Sequence, residues 1–344
     1  MIRSIEAPQR AAIPPNAVDF LRELAGPAWI RVPGRERGRT RAVTTLIHGD
    51  EPSGLRAVHG WLRSGAVPAV DSVFFIGAVE AALIPPGFAH RVLPGRADLN
   101  RCFLAPYAGD EGALAAELLD RLRAARPEAL IDLHNNSGHN PAYGVGLSMD
   151  ASLLTLTALF GRRYVHSDLR LGALVEATHA EFPSLTVECG RAGDPLADAV
   201  ARSGLDRYLS APRPLEPQSP RPLLDVLEAP VRVTLRPGVR VAFADAPRAD
   251  VDLTVARDID RHNFELVAPG SILGWVADGL WPVTARDAGG LDLARELFEV
   301  REGVLRARRS LIPIMMTTQA RAAEKDCLFY AVRRSDAAPR PETD

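Results

Sequence analysis

Four short, mostly apolar runs recur along the first two-thirds of the chain, at 42–47, 72–77, 129–133 and 184–187. Each is apolar enough on both faces to be read as a strand covered on both sides. Between and after them lie segments with helical spacing. Leu55, Val58 and Leu62 recur at threes and fours over 54–64, and Leu114, Leu118 and Leu122 share one face over 111–126, where Pro127 stops the helix. Further helices are expected over 152–160, 171–182 and 196–209, with a short strand near 163–165. This β-α-β-α alternation implies an α/β fold with a mainly parallel sheet flanked by helices. In such sheets ligands bind beyond the carboxyl ends of the strands.

The pattern changes at residue 211. Five prolines fall between 212 and 222, the composition of a linker. We expect a catalytic domain over 1–210, a Pro-rich linker over 211–222 and a smaller β-rich domain over 223–344. Strand-like runs in the last part lie at 231–235, 239–243, 251–255, 264–267 and 272–276, with one helix over 291–300 and a frayed tail from 333. Residues 1–41 read as peripheral, with a short helix over 17–24 and a basic turn region over 33–41.

A net charge of -2, from 41 basic and 43 acidic residues, gives no electrostatic case for a nucleic-acid or anionic-membrane partner. No apolar run approaches the roughly 18 residues of a membrane span, and the first residues lack the apolar segment of a signal peptide. Cys102, Cys189 and Cys327 are odd in number and far apart, which argues for a reducing, cytoplasmic setting.

Polar residues cluster where the expected strands end. His48-Gly49-Asp50-Glu51-Pro52-Ser53-Gly54 follows the first, Asp132-Leu133-His134-Asn135 overlaps the third, and Val187-Glu188-Cys189-Gly190 ends the fourth. A fourth stretch, Asp98-Leu99-Asn100-Arg101, lies in the loop after the second strand. His48 and Glu51, three apart, can face one point on a tight turn, and His134 supplies a third donor; two histidines and a glutamate form a known catalytic zinc set. The plain alternatives are a hydrogen-bonded histidine at a strand end and an acid in a helical first turn. Asp132, two residues before His134, shares its side of the strand and suits a carboxylate that orients a ligand imidazole. Glu188 is costly to bury unless something uses it, and a general base is one use; an ion pair with Arg191 is the other. Arg101 offers a planar fork and Asn100 a neutral donor for a substrate carboxylate, or both belong to a solvated loop.

Taken together, HGDEPSG, DLNRCF at 98–103, DLHN at 132–135 and VECG at 187–190 resemble the succinylglutamate desuccinylase/aspartoacylase family, a branch of the zinc carboxypeptidase-like fold. The resemblance covers roughly 42–210, with a looser likeness of the last part to the family's β-rich domain. It implies one zinc ion per chain on His48, Glu51 and His134, Glu188 as base and proton shuttle, and Asn100 and Arg101 on the substrate. The family's first stretch often has asparagine where this chain has Asp50. Arg91, Arg96, Arg170 and Arg191 are candidates for holding a second substrate carboxylate.

The implied reaction is hydrolysis of the amide bond of a small N-acyl amino acid. A carboxypeptidase acting on peptides and a catalytically silent metal- or ligand-binding protein are the rivals. Assembly into a homo-oligomer stays open.

Overall fold

The four expected strands lie side by side at the centre of a 12-stranded sheet. The computed structural model describes residues 1–216 and 223–335. The end of the expected linker, 217–222, and the tail beyond 335 lie outside the described residues.

Along the chain the strands of the first part are β1 (Arg3–Glu6), β2 (Ala28–Val32), β3 (Glu36–Thr45), β4 (Val70–Ile76), β5 (Leu130–Asn136), β6 (Tyr143–Gly146), β7 (Arg163–His166) and β8 (Ser184–Arg191). Those of the second part are β9 (Asp225–Leu235), β10 (Val241–Ala244), β11 (Leu253–Ala256), β12 (Ile272–Val276), β13 (Val283–Arg286), β14 (Phe298–Arg301), β15 (Val304–Ala307), β16 (Ile312–Ile314) and β17 (Phe329–Arg334). The helices are α1 (Ala17–Leu24), α2 (Pro52–Ser64), α3 (Val79–Leu83), α4 (Gly109–Ala125), α5 (Ala151–Ala158), α6 (Leu174–Thr178), α7 (Pro195–Ser210), α8 (Ala294–Leu297) and α9 (Ala320–Lys325).

The large sheet runs β1-β2-β4-β3-β5-β8-β6-β7-β9-β17-β16, with β13 beside β9. Its centre, β4-β3-β5-β8, is parallel throughout. Alternating residues feed two cores. Val43, Phe74 and Ile131 pack with Leu21, Val58 and Leu205 of α1, α2 and α7. Ala42, Phe75 and Leu130 pack on the other face with Leu118 and Leu122 of α4 and Leu174 of α6. Apolar residues on both faces of each central strand thus bury the sheet between two helical layers.

The second part returns to the same sheet. β9 pairs with β7 in parallel register, Arg163 opposite Asp225. A separate five-stranded sheet, β10-β11-β12-β15-β14, encloses its own core around Leu253, Leu273 and Phe298. A further cluster, with Tyr143 and Val165 against Phe264, Ile312 and Tyr330, joins the two parts.

Four expectations are corrected. Residues 1–41 are not peripheral, because β1 and β2 extend the sheet beyond β4, and the turn region over 33–41 already contains the start of β3. Ile30 and Trp29 are buried, one on each face of the sheet. The helix over 171–182 is only Leu174–Thr178, because the Glu176 carboxylate takes the amides of Leu171 and Gly172 in a tight turn. The helix over 291–300 gives way at Phe298 to β14, whose residues alternate across a hairpin with β15 through Glu302 and Gly303, both at positive φ. Residues 264–267 form no strand; only Val267 bridges to Leu311. Among the described residues no helix is long and apolar enough to cross a membrane.

Candidate functional site

β3 ends at Thr45, and Leu46, with φ 54°, turns the chain into the HGDEPSG stretch. Gly49 donates its N–H to the Arg91 carbonyl at 2.9 Å. A Cβ there would sit 2.6 Å from the His90 carbonyl oxygen and 2.7 Å from the Ala82 nitrogen, so only glycine lets the 90–91 loop lie this close. Gly54 likewise sits where a Cβ would meet the Leu133 Cβ at 2.6 Å, which lets α2 pack against β5. Pro52 opens α2, where its missing N–H costs nothing. Glu51 is the N-cap residue, yet its carboxylate caps nothing; Asn135 Oδ1 takes the Ser53 amide instead, at 3.0 Å.

The Glu51 carboxylate lies between two imidazoles. Its Oε1 is 2.7 Å from His48 Nδ1 and its Oε2 is 2.7 Å from His134 Nδ1. The far nitrogen of each ring is held by an acid, His48 Nε2 by Asp98 Oδ1 at 3.0 Å and His134 Nε2 by Asp132 Oδ2 at 2.8 Å. Thr44 donates to the other Asp132 oxygen at 2.6 Å. Donor atoms of His48, Glu51 and His134 lie within 4.8 Å of one another, and all three residues are buried. Asp50 Oδ1 is buried beside them with no hydrogen-bond partner among the described residues. Two imidazole nitrogens, one carboxylate and an orienting acid behind each ring are the donor set that suits zinc.

Charge is crowded here. Burial opposes ionisation of Glu51, but the rings of His48 and His134 hold its carboxyl well below the usual range. Burial works against a protonated His134 ring, and Asp132 and Glu51 outweigh it, raising its pKa well above the ordinary value. Asp98 is opposed by burial too, yet His48 and Arg91 hold it far below the carboxylate range. Burial, and then Glu51, pushes the Asp50 carboxyl up.

Glu188 sits on β8 at the register position opposite His134. Two residues on, the register has slipped, so that Asn136 faces Arg191, a bulge of the kind that re-aims side chains beside sites. The Asn136 amide donates to Glu188 Oε2, and Tyr143 donates its hydroxyl to Asn136 Oδ1 at 3.2 Å. Glu188 is 6% exposed, and burial pushes its carboxyl up to about 7. Its surroundings include the charges of His134, Glu51, His48 and Arg91.

Asn100 and Arg101 lie in a single 3-10 turn whose start is capped by Asp98. Asn100 Oδ1 accepts from the Leu174 amide at 3.1 Å, while its amide nitrogen has no partner among the described residues. Arg101 Nη2 is bonded to both oxygens of Asp326, at 3.0 and 3.2 Å. Of the arginines considered for a second carboxylate, Arg91 reaches Glu51 at 3.3 Å and Asp98 at 3.1 Å. Arg96 pairs with Asp110 and Glu111, and Arg170 and Arg191 are exposed.

The sequence reading missed several residues. Asp98 and Asn135 lie within the motifs, but nothing in their spacing assigns them a part; the structure puts Asp98 behind His48 and ties Asn135 to Ser53, Glu51 and the Gly190 carbonyl. The two-residue step that singled out Asp132 would also have singled out Asn136 on the other side of His134. Nothing in the sequence pointed to Asp326 or Arg232.

No family model matches the sequence, and no curated protein does. Solved structures do match. The succinylglutamate desuccinylase of Chromobacterium violaceum aligns over 92% of this chain and 89% of its own at 16% identity, with a TM-score of 0.58. The ectoine utilization protein EutE of Ruegeria pomeroyi, solved with product bound, aligns over 88% and 87% at 18% identity, with a TM-score of 0.55. Murine aminoacylase 3 aligns over 88% and 97% at 20% identity, with a TM-score of 0.52. The chain therefore has the fold of the succinylglutamate desuccinylase/aspartoacylase structures, as its four polar stretches anticipate.

Proposed function

We propose that this protein is a metal-dependent hydrolase of small N-acyl amino acids, with one zinc ion per chain held by His48, Glu51 and His134. The observation that carries the reading is the buried convergence of these donors, with the outer nitrogen of each ring already bonded to an acid. Zinc on those residues would supply Lewis acidity for a carbonyl and make water a better acid. By accepting from Nε2, Asp98 and Asp132 fix the tautomer of each ring and would leave its Nδ1 as the ligand atom.

Glu188 then serves as the base. Its carboxyl, pushed up to about 7, can take a proton from the attacking water and return it to the leaving nitrogen near neutral pH. The Asn136 amide fixes one oxygen of that carboxylate and leaves the other for the proton. The amide nitrogen of Asn100 and the Nε of Arg101, neither with a partner among the described residues, receive the substrate carboxylate.

The groups of 1–210 do the chemistry and the described part after the linker, 223–335, restricts access. Three contacts support a narrow entrance. Ser137 is bonded to Thr317 at 2.9 Å, Gly138 fits against the Met316 carbonyl with no room for a Cβ, and Asp326 reaches Arg101. A close-fitting second part suits a small acyl amino acid better than a long peptide. The solved neighbours, named as desuccinylase and aminoacylase, support the same class.

The test is free-amine release by zinc-loaded protein from acetyl and succinyl derivatives of acidic, basic and neutral amino acids, with Glu188→Gln beside wild type. Release by wild type, with the variant retaining zinc and losing about a hundredfold or more of the rate, is expected. Cleavage of long peptides alone would move the assignment to a carboxypeptidase. Bound zinc with no hydrolysis of anything would leave a silent binder.

A further inference from the structure

Asp326 lies between α9 and β17, far along the chain from every polar stretch named above, yet it sits at the site. Arg101 Nη2 grips both of its oxygens. Arg232 Nη2 donates to Oδ1 at 2.6 Å and to the Asp326 carbonyl at 2.9 Å. Arg91 Nη2 lies 3.9 Å from Oδ2, and the same guanidinium contacts Glu51 and Asp98. The acid is therefore one guanidinium away from the candidate metal donors. It is held by arginines from both parts of the chain, as a carboxylate ligand would be. Burial opposes its charge, but Arg101, Arg91 and Arg232 hold its pKa below the usual value.

Three guanidiniums, Arg91, Arg101 and Arg232, thus face three carboxylates, Glu51, Asp98 and Asp326. A substrate bearing one carboxylate can still use the Asn100 amide and Arg101 Nε. A second carboxylate would find Nη2 of Arg101 and of Arg232 already bonded to Asp326 and would lie against a like charge, a repulsive device against the wrong ligand. Building upon the N-acyl amino acid reading, we propose that Asp326 is a specificity-determining residue. Its carboxylate stands on Arg101 and Arg232 where a second substrate carboxylate would bind, so the site selects monocarboxylate over dicarboxylate N-acyl amino acids. The Asp326 side chain is about a quarter exposed, at 26%, so solvent screens the effect but does not remove it.

N-acetylasparagine and N-acetylaspartate differ only in the second carboxylate. The experiment measures kcat/KM for both, and calorimetric binding of both to zinc-loaded protein, in wild type, Asp326→Asn and Asp326→Ser. Wild type is expected to favour the asparagine compound. Both variants are expected to shift the ratio about tenfold toward the aspartate compound. A merely structural contribution would lower both compounds together and leave the ratio alone. If neither compound is hydrolysed, the deacylase reading loses support while the binding ratio still decides the inference. An unchanged ratio in both variants, including no binding of N-acetylaspartate to any of the three proteins, overturns it, as does a wild type that prefers N-acetylaspartate.

Discussion

Two buried polar clusters lie toward opposite ends of the same central strands, and they differ in how their charges are answered. At the amino end, Arg41 of β3 is fully buried. Its Nε meets Glu128 at 2.6 Å, its Nη1 the Tyr208 carbonyl at 2.6 Å and its Nη2 the Pro212 carbonyl at 3.1 Å. Arg39 shares Glu128, and the Tyr208 ring lies 5.6 Å from the Arg41 guanidinium. That cluster is closed: it ties β3 to the start of β5 and the end of α7, and it has no use for a ligand. At the carboxyl end, Glu51, Asp98, Asp132, Asp50 and Glu188 gather around two imidazoles, with Arg91 against Glu51 and Asp98. Acid is in excess there, and one buried Asp50 oxygen has no partner among the described residues. Burial alone does not mark a site. Unbalanced charge, with donor atoms aimed at one point, does.

The contrast can be broken by mutation. Arg41→Met leaves Glu128 with Arg39 alone, strips the Tyr208 carbonyl of its donor and takes one from the Pro212 carbonyl, at about 1–3 kcal/mol for each buried group left unsatisfied, read as a lower urea midpoint, while zinc per folded chain stays at one. Loss of zinc without loss of stability would erase the distinction between the two ends. A smaller effect is expected at the other end. Asp98→Asn and Asp132→Asn should each weaken zinc affinity about 10- to 100-fold in competition with a chelator, with the melting temperature of the metal-free protein little changed. Unaltered affinity in both would reduce the two acids to ordinary hydrogen-bond partners. The Asp326 substitutions sharpen the comparison most finely, because they change only which anion the boundary admits.

What could be read from the sequence follows the same division. His48 and Glu51 are legible because a strand end and a three-residue spacing are local features, and the two-residue period joins Asp132 to His134. The parallel centre of the sheet is legible because continuous apolar runs need cover on both faces. The strand at Arg3–Glu6 is not, since its burial is one-sided and slight. The shortened α6 is not either: a Glu176 side chain bonding the amides of Leu171 and Gly172 leaves no mark on apolar periodicity. Nothing in the sequence separates Arg91, which a loop brings to the site, from the other arginines considered, and Asp326 arrives through a contact between residues 225 positions apart. Tertiary structure alone decides those placements.

Metal content decides whether His48, Glu51 and His134 form a metal centre. Wild type and His134→Ala, both loaded with zinc and dialysed, are analysed for metal per chain, with circular dichroism to establish that each is folded. The account predicts one zinc per chain in wild type and none in the variant. A folded wild type that retains no zinc, or a variant that keeps a full equivalent, would contradict it.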